Sequence, residues 1–387
     1  MKKALLVIVI IVAVIIALPL INFLRWTFQS KKPLGIVLVD KTVPKIDREK
    51  HKSFYWVMTN NRYVKKEKKT SYSFVKDYFG FHPTRPLKEK QYNNVRYNMT
   101  EALRELPESQ DAVYFADTYG VMVSDWYFAL NPPRRSRKLE GALNGMDNNL
   151  IKEMKDRNKL VVIEYNTFDW PTGEFESYTL QNRLGISWSG WTGKYFATLD
   201  TTSKDFPMWM TGMYRKQYRK PWTFNKPGVV LLKDKAILVL EEGTMLTKAL
   251  PLIETDSAYA AKWNIAKSVT FDQWFDIIDP MQNTVISKFR LSTTANADSI
   301  LAENGISPVF PAVVVDPAQK RTYYFSGDFC HTNIPYWTAR FKSVDKLKGL
   351  LYSPKKEDDQ RRFFWLFYKP LIEGVFGDYY TEIKATK

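Results

Sequence analysis

The 387 residues predict an open, doubly wound α/β domain with a mostly parallel sheet, carried behind one N-terminal transmembrane helix. Three observations lead there: an apolar N-terminal stretch of bilayer length, three short apolar runs that each end in an acid, and helix-patterned segments between them. Hydrophobic residues are 45% and charged residues 25% of the chain, a balance that excludes disordered, collagenous and polytopic membrane proteins.

The first element is the anchor. From Ala4 to Leu24 the chain is apolar except at Asn22. At 1.5 Å per residue this stretch crosses a hydrocarbon core about 30 Å thick. Lys2 and Lys3 precede it and no Ala-x-Ala pattern follows, so it reads as an uncleaved signal anchor. Trp26 and Phe28 suit the interface beyond the span. A short inner N-terminus is predicted, with residues beyond 30 outside the cytoplasm, as in a single-pass protein of a bacterial inner membrane. The organisation expected is an anchor over 1–24, a tether over 25–33, an α/β domain over 34–335 and a C-terminal helical extension over 336–387.

The strands follow. Leu34 to Val39 (LGIVLV) is a continuous apolar run ended by Asp40. Asp111 to Ala116 (DAVYFA) is ended by Asp117, and Leu160 to Ile163 (LVVI) by Glu164. Continuous rather than alternating hydrophobicity marks strands covered on both faces, the habit of parallel sheets. Residues 51–64 supply a helix after the first strand. Asn148 to Arg157, with Leu150, Ile151 and Met154 at helical spacing, supplies one before the third. Strand, helix, strand in this order predicts parallel pairs joined by right-handed crossovers. Val229 to Leu232, Ala236 to Leu240 and Val285 to Leu291 read as further strands. Ala312 to Val315 and Thr322 to Phe325 flank a hairpin-like DPAQKR turn, and all are expected to complete one large sheet. Pro354 to Phe376 reads as a helix whose apolar face packs on the domain.

Ligands of open parallel sheets bind beyond the carboxyl ends of the strands, where Asp40, Asp117 and Glu164 stand. Converging carboxylates share protons or accept hydrogen bonds from sugar hydroxyls, and proximity drives their pKa values apart. The segments that follow, 116–127, 164–176 and 184–196, read as loops rich in aromatic and polar residues. Tyr119, Asn166, Asp169, Trp170, Trp188 and Trp191 offer ring faces beside amide and carboxyl groups, a composition suited to carbohydrate. Asp328, after the last strand, joins them. Asp117 and Glu164 are the best catalytic candidates if there is turnover.

The turn VVIEYNTF after the third strand and the late segment PAVVVDPAQKRTYYFSGDF resemble the class I glutamine amidotransferase-like fold, a flavodoxin-like arrangement. The resemblance includes its noncatalytic versions in trehalose-utilisation-like proteins and in the trimerisation domain of some β-galactosidases. It implies a nucleophile elbow at Glu164, Tyr165, Asn166 and Thr167, where no cysteine stands. Asp328, Cys330 and His331 fall where the family's His and Glu are expected, without the His-x-Glu pattern. A noncatalytic, membrane-anchored member is implied, of the kind associated with bacterial surface-polysaccharide systems.

Other chemistries are less well supported by the residues. Val39, Asp40, Lys41 and Thr42 resemble the aspartyl nucleophile of the haloacid dehalogenase group, with Gly327 and Asp328 as a later metal-binding acid, but Val43 and Pro44 replace the expected Gly and Thr. A glycoside hydrolase needs two carboxyl groups about 5 to 9.5 Å apart, and Asp117, Glu164, Asp169 and Asp328 are candidates. One cysteine excludes an internal disulfide framework, and three histidines with one cysteine match no standard zinc set, so no metal and no cofactor is expected. Lys plus Arg is 57 against 41 for Asp plus Glu, a formal +16 that favours anionic partners. The runs Lys65, Lys66, Lys68, Lys69 and Arg134, Arg135, Arg137, Lys138 read as solvated loops that also suit anionic headgroups. No nucleic-acid motif accompanies them. The expected protein binds a glycan or a partner in surface-polysaccharide assembly. A carboxylate-based glycoside hydrolase is the first alternative and haloacid-dehalogenase-like phosphoryl transfer the second.

Overall fold

A computed structural model describes residues 17–85, 87–128, 136–203 and 206–386. Most of the Ala4–Leu24 stretch therefore lies outside the described residues, as do Arg134 and Arg135. Residues 17–27 form a helix, and among the described residues no helix is long and apolar enough to cross a membrane.

The central layer is a ten-stranded sheet. In chain order we name β1 (Ile36–Asp40), β2 (Phe79–Pro83), β3 (Tyr92–Val95), β4 (Ala112–Asp117) and β5 (Leu160–Glu164). After these come β6 (Ser187–Phe196), β7 (Gly228–Lys233), β8 (Ala236–Glu241), β9 (Leu246–Thr255) and β10 (Ser268–Thr270). The last four are β11 (Trp274–Asp279), β12 (Thr284–Thr293), β13 (Val309–Val315) and β14 (Thr322–Phe325). The large sheet runs β10-β9-β12-β13-β14-β5-β4-β1-β2-β3. Strands β14, β5, β4, β1 and β2 are mutually parallel. The remaining pairings of this sheet are antiparallel, including the β13–β14 hairpin across the expected DPAQKR turn. The sheet is thus mixed rather than mostly parallel.

The parallel strands are legible because they are sealed on both sides. Ile36 and Leu38 of β1 join a core with Phe54, Trp56, Leu371 and Val375, whereas Val37 and Val39 join another with Leu150, Ile151, Met154 and Leu180. Side chains of a strand alternate between faces, so helices cover both. On the first face lie α1 (Glu49–Asn60) and the last helix, Lys369–Ala385. On the second lie α2 (Gly145–Asp156) and α3 (Glu174–Leu184). Helix α2 begins earlier than its apolar spacing indicates because Asn144 and Asp147 form a capping box around its first turn. The C-terminal helical stretch starts at Gln360 rather than Pro354, with Asp359 accepting the Arg361 N–H, and it packs into the same core as β1 and α1.

The later strands do not all complete the large sheet. Strands β7 and β8 belong to a separate antiparallel sheet of order β8-β7-β6-β11. Val229 and Leu231 face the large core, and Val230, Ile237 and Val239 face a small cluster with Phe196, Leu199, Phe206 and Met210. Burial on both faces gives these strands the same continuous apolar look as the parallel ones. Residues 187–196, read from sequence as a loop, are strand β6. Its Gly193 lies against the Phe275 ring, where a Cβ would come within 2.3 Å.

Candidate functional site

The parallel strands end together, and their last residues meet. Asp40 closes β1, Asp117 closes β4 and Glu164 closes β5, while Asp328 follows β14. All four are sealed, at 0 to 2% exposure. The first turn of α1 brings two residues that sequence reasoning missed. Lys50 Nζ lies 2.8 Å from Asp328 Oδ2 and 3.4 Å from Asp117 Oδ2, and its side chain is 19% exposed. His51 Nδ1 lies 2.5 Å from Asp40 Oδ2, while its Nε2 donates to the Phe74 carbonyl at 2.8 Å. The imidazole is thus held between the Asp40 carboxyl and the Phe74 carbonyl.

Hydrogen bonds fix the remaining oxygens. Thr42 donates its hydroxyl to Asp117 Oδ1 (2.6 Å) and accepts the Gly120 N–H (2.7 Å), and its own N–H reaches Asp40 Oδ1 (3.0 Å). Asp117 Oδ1 also accepts from the Tyr119 N–H and from Asn166 Nδ2 at 2.8 and 3.3 Å. Glu164 accepts from the Tyr114 hydroxyl on one oxygen and from the Phe329 and Cys330 N–H groups, both at 3.0 Å, on the other. His331 Nδ1 lies 3.1 Å from Asp328.

These surroundings drive the carboxyl groups apart. Burial pushes Asp117 up to about 7, with Lys50 opposing and Asp328 and Asp40 adding to the rise. Burial pushes Glu164 up to about 8 against the hydrogen bonds of Tyr114 and Cys330. Burial also acts on Asp328, but Lys50 and His331 outweigh it and hold that carboxyl well below the usual range. For Lys50 itself burial disfavours the ammonium, yet Asp328 and Asp117 overcome it and raise the pKa. One ammonium therefore holds an ionised carboxylate and a carboxyl poised near neutral pH. Cys330 is fully buried, donates its thiol to the Lys50 carbonyl (2.6 Å) and is pushed far up by burial, so it is not a poised nucleophile.

Over this floor lie half-buried residues from two loops. Tyr119 follows β4, and Asn166, Asp169 and Trp170 follow β5. The Tyr119 and Trp170 rings stand edge to face at 5.8 Å. Thr118 Oγ1 donates to the Asn166 carbonyl (3.1 Å) and ties the loops together. Asn166 adopts φ 74, a left-handed conformation that Asn tolerates better than most residues. Its N–H points to Asp276 Oδ2 at 3.5 Å.

Two predicted members are elsewhere. Trp191 is 3% exposed and belongs to the large core, with Lys233 5.9 Å from its ring. Trp188 packs beside Phe168 at 6.2 Å. Both are on strand β6, not on a loop. Lys41 turns away from Asp40 to Asp147 (2.6 Å) and the Ala142 carbonyl (2.8 Å).

Set against known protein families, curated proteins and solved structures, the chain gives no match in any of the three comparisons.

Proposed function

We propose that this chain is a single-pass envelope protein whose α/β domain binds a glycan at the carboxyl end of its parallel strands, in surface-polysaccharide assembly. The observation that carries this reading is the Tyr119–Trp170 ring pair beside Asn166 and Asp169, set over a floor of sealed acids. Rings present flat apolar faces to sugar rings, and amide and carboxyl groups order their hydroxyls. Most oxygens of Asp40, Asp117 and Glu164 accept from internal partners, which suits holding a ligand better than attacking one. A place among doubly wound, amidotransferase-like folds is supported by the order β2-β1-β4-β5-β14 of the parallel strands and by helices on both faces. The positive φ of Asn166 at the elbow position agrees with that placement, and the absence of a thiol there argues for a noncatalytic member. Phosphoryl transfer at Asp40 is disfavoured, because its carboxyl is committed to His51 and the Thr42 N–H.

The test is binding of the full chain, in detergent, to a panel of bacterial polysaccharides. Trp170→Ala should weaken any affinity found by about tenfold, the loss of one stacking partner, with the unfolding midpoint little changed. Wild-type affinity in both Trp170→Ala and Tyr119→Ala would sink the reading. A carboxylate-based glycoside hydrolase is a second reading, favoured by one observation: Asp117 and Asp328 share Lys50 yet are pushed in opposite directions. Reducing-end release that disappears in Asp117→Asn would favour it over simple binding.

A further inference from the structure

The helix over 17–27 continues the apolar stretch that begins at Ala4, and it is clamped to the domain. Trp26 Nε1 donates to the Thr59 carbonyl at 3.0 Å, and the Arg62 guanidinium lies 4.5 Å from the Trp26 ring. The Lys342 N–H donates to the Asn22 carbonyl and its Nζ to Gln29 Oε1, both at 3.0 Å. Asn60 Nδ2 holds the Ala339 and Phe341 carbonyls at 3.0 and 3.2 Å. From this clamp a chain of rings leads outward: Trp26 to Phe23 at 6.1 Å, Phe23 to Phe341 at 6.1 Å and Phe341 to Trp337 at 5.7 Å. Next to it in the sequence, or in the segment that follows Phe341, apolar side chains are unusually exposed: Phe28 at 82%, Trp337 at 68%, Leu347 at 53% and Leu350 at 84%. Between Tyr336 and Leu350 the cations Arg340, Lys342, Lys346 and Lys348 face one acid, Asp345.

Exposed aromatic and aliphatic side chains interleaved with lysines, at the foot of an apolar helix, match the chemistry of a headgroup boundary. We infer that Phe28 and residues 336–350 form a second, peripheral membrane contact. In it Trp337, Leu347 and Leu350 seat in the boundary between headgroups and acyl chains, and Lys346 and Lys348 meet anionic phospholipid. This rests on the reading of Ala4–Leu24 as a membrane anchor and extends it: the domain is held against the bilayer at a fixed angle, not hung on a flexible tether. Helix α1 then acts as a spacer. Its last turn carries Thr59 and Asn60 at the clamp, its first turn carries Lys50 and His51 at the acids, and its 12 residues span about 18 Å. The candidate site accordingly faces away from the membrane.

The test uses the full chain in vesicles of phosphatidylcholine and phosphatidylglycerol containing a lipid-borne quencher. An environment-sensitive label is placed in turn at Leu18→Cys, Trp337→Cys, Leu350→Cys and, as a distant control, Thr202→Cys. Labels at 18, 337 and 350 should lose fluorescence about twofold or more relative to 202, as expected for groups at the headgroup boundary. In a Lys346→Glu, Lys348→Glu background the quenching at 350 should fall in anionic vesicles while that at 18 stays. Quenching at 18 with 337 and 350 behaving like 202 would overturn the peripheral contact and leave the anchor standing. No quenching at 18 would remove the anchor, and the inference with it.

Discussion

Two buried acid clusters lie next to each other beyond the parallel strands, and they are accommodated by opposite means. At the strand ends, Asp117 and Asp328 share the Lys50 ammonium. At the junction with the four-stranded sheet, Asp276 on β11 accepts from the Tyr324 hydroxyl (2.7 Å) and Thr192 Oγ1 (3.0 Å), and no cation among the described residues pairs with it. Asn166 touches both, through its side chain to Asp117 and its N–H to Asp276. The first cluster keeps charge inside by pairing it. The second avoids charge, since burial pushes Asp276 up to about 7 despite its hydrogen bonds. A buried cation is costly without partners and keeps its carboxylate partner ionised, whereas hydroxyl partners suffice for an acid that joins two sheets.

Removing the cation should have the largest effect. Lys50→Met leaves Asp328 ionised, buried and short of its main partner, and breaking a buried pair from one side costs about 3 to 5 kcal/mol. Urea unfolding at pH 8 would measure it. The double variant Lys50→Met, Asp328→Asn should recover more than half, because it removes the stranded charge. A single-variant loss under about 1 kcal/mol would mean that the two clusters are alike and that Lys50 is an exposed lysine in effect.

The same contrast explains what could be read from sequence. The acids at 40, 117 and 164 were legible because each ends a run buried on both faces, and the hairpin between β13 and β14 because its turn is explicit. Lys50 and His51 were not, since a charged residue in a helix ordinarily faces solvent. The available signal was their helix: from Ser53 to Thr59 every residue of α1 is buried, and a helix apolar all round buries the polar residues at its head as well. The second sheet was hidden because β7, with apolar neighbours on both faces, has the pattern of a central parallel strand. The aromatic and polar composition of 184–196 reads as a loop, although Gly193 admits the Phe275 ring into a strand pairing.

Glu164 sharpens the comparison on the charged side. Its folded pKa of about 8 exceeds the ordinary 4.5, so below 4.5 folded and unfolded chains both hold the proton. As pH rises from 4.5 to 8 the unfolded chain releases it and the folded chain does not, and stability falls across that window. Glu164→Gln cannot ionise. Its oxygen can accept the Phe329 and Cys330 N–H groups while its amide donates to Tyr114, whose hydroxyl turns to Tyr368 at 3.0 Å. The variant should gain about 3 to 4 kcal/mol on the wild type between pH 5 and pH 8, read from paired urea titrations. A constant difference across that range would refute the raised pKa.

The smallest effect is expected at the junction. Asp276→Asn keeps the shape, and the amide oxygen can take the Tyr324 hydroxyl while the amide nitrogen donates to Thr192 Oγ1. With a folded pKa of about 7 against an ordinary 3.8, Asp276 at pH 4 is protonated in the folded chain and still partly so in the unfolded chain, so substituting a neutral amide there should change stability by less than about 1 kcal/mol. Raising the pH to 8 ionises the acid in both states and leaves the wild type with a buried charge that the variant lacks, so the variant should then be the more stable of the two. Thermal unfolding at the two pH values distinguishes the means of accommodation directly. If Asp276→Asn were as damaging at pH 8 as Lys50→Met, the junction would have to hold a charge after all, and its hydroxyls would be partners to an ion rather than to an acid.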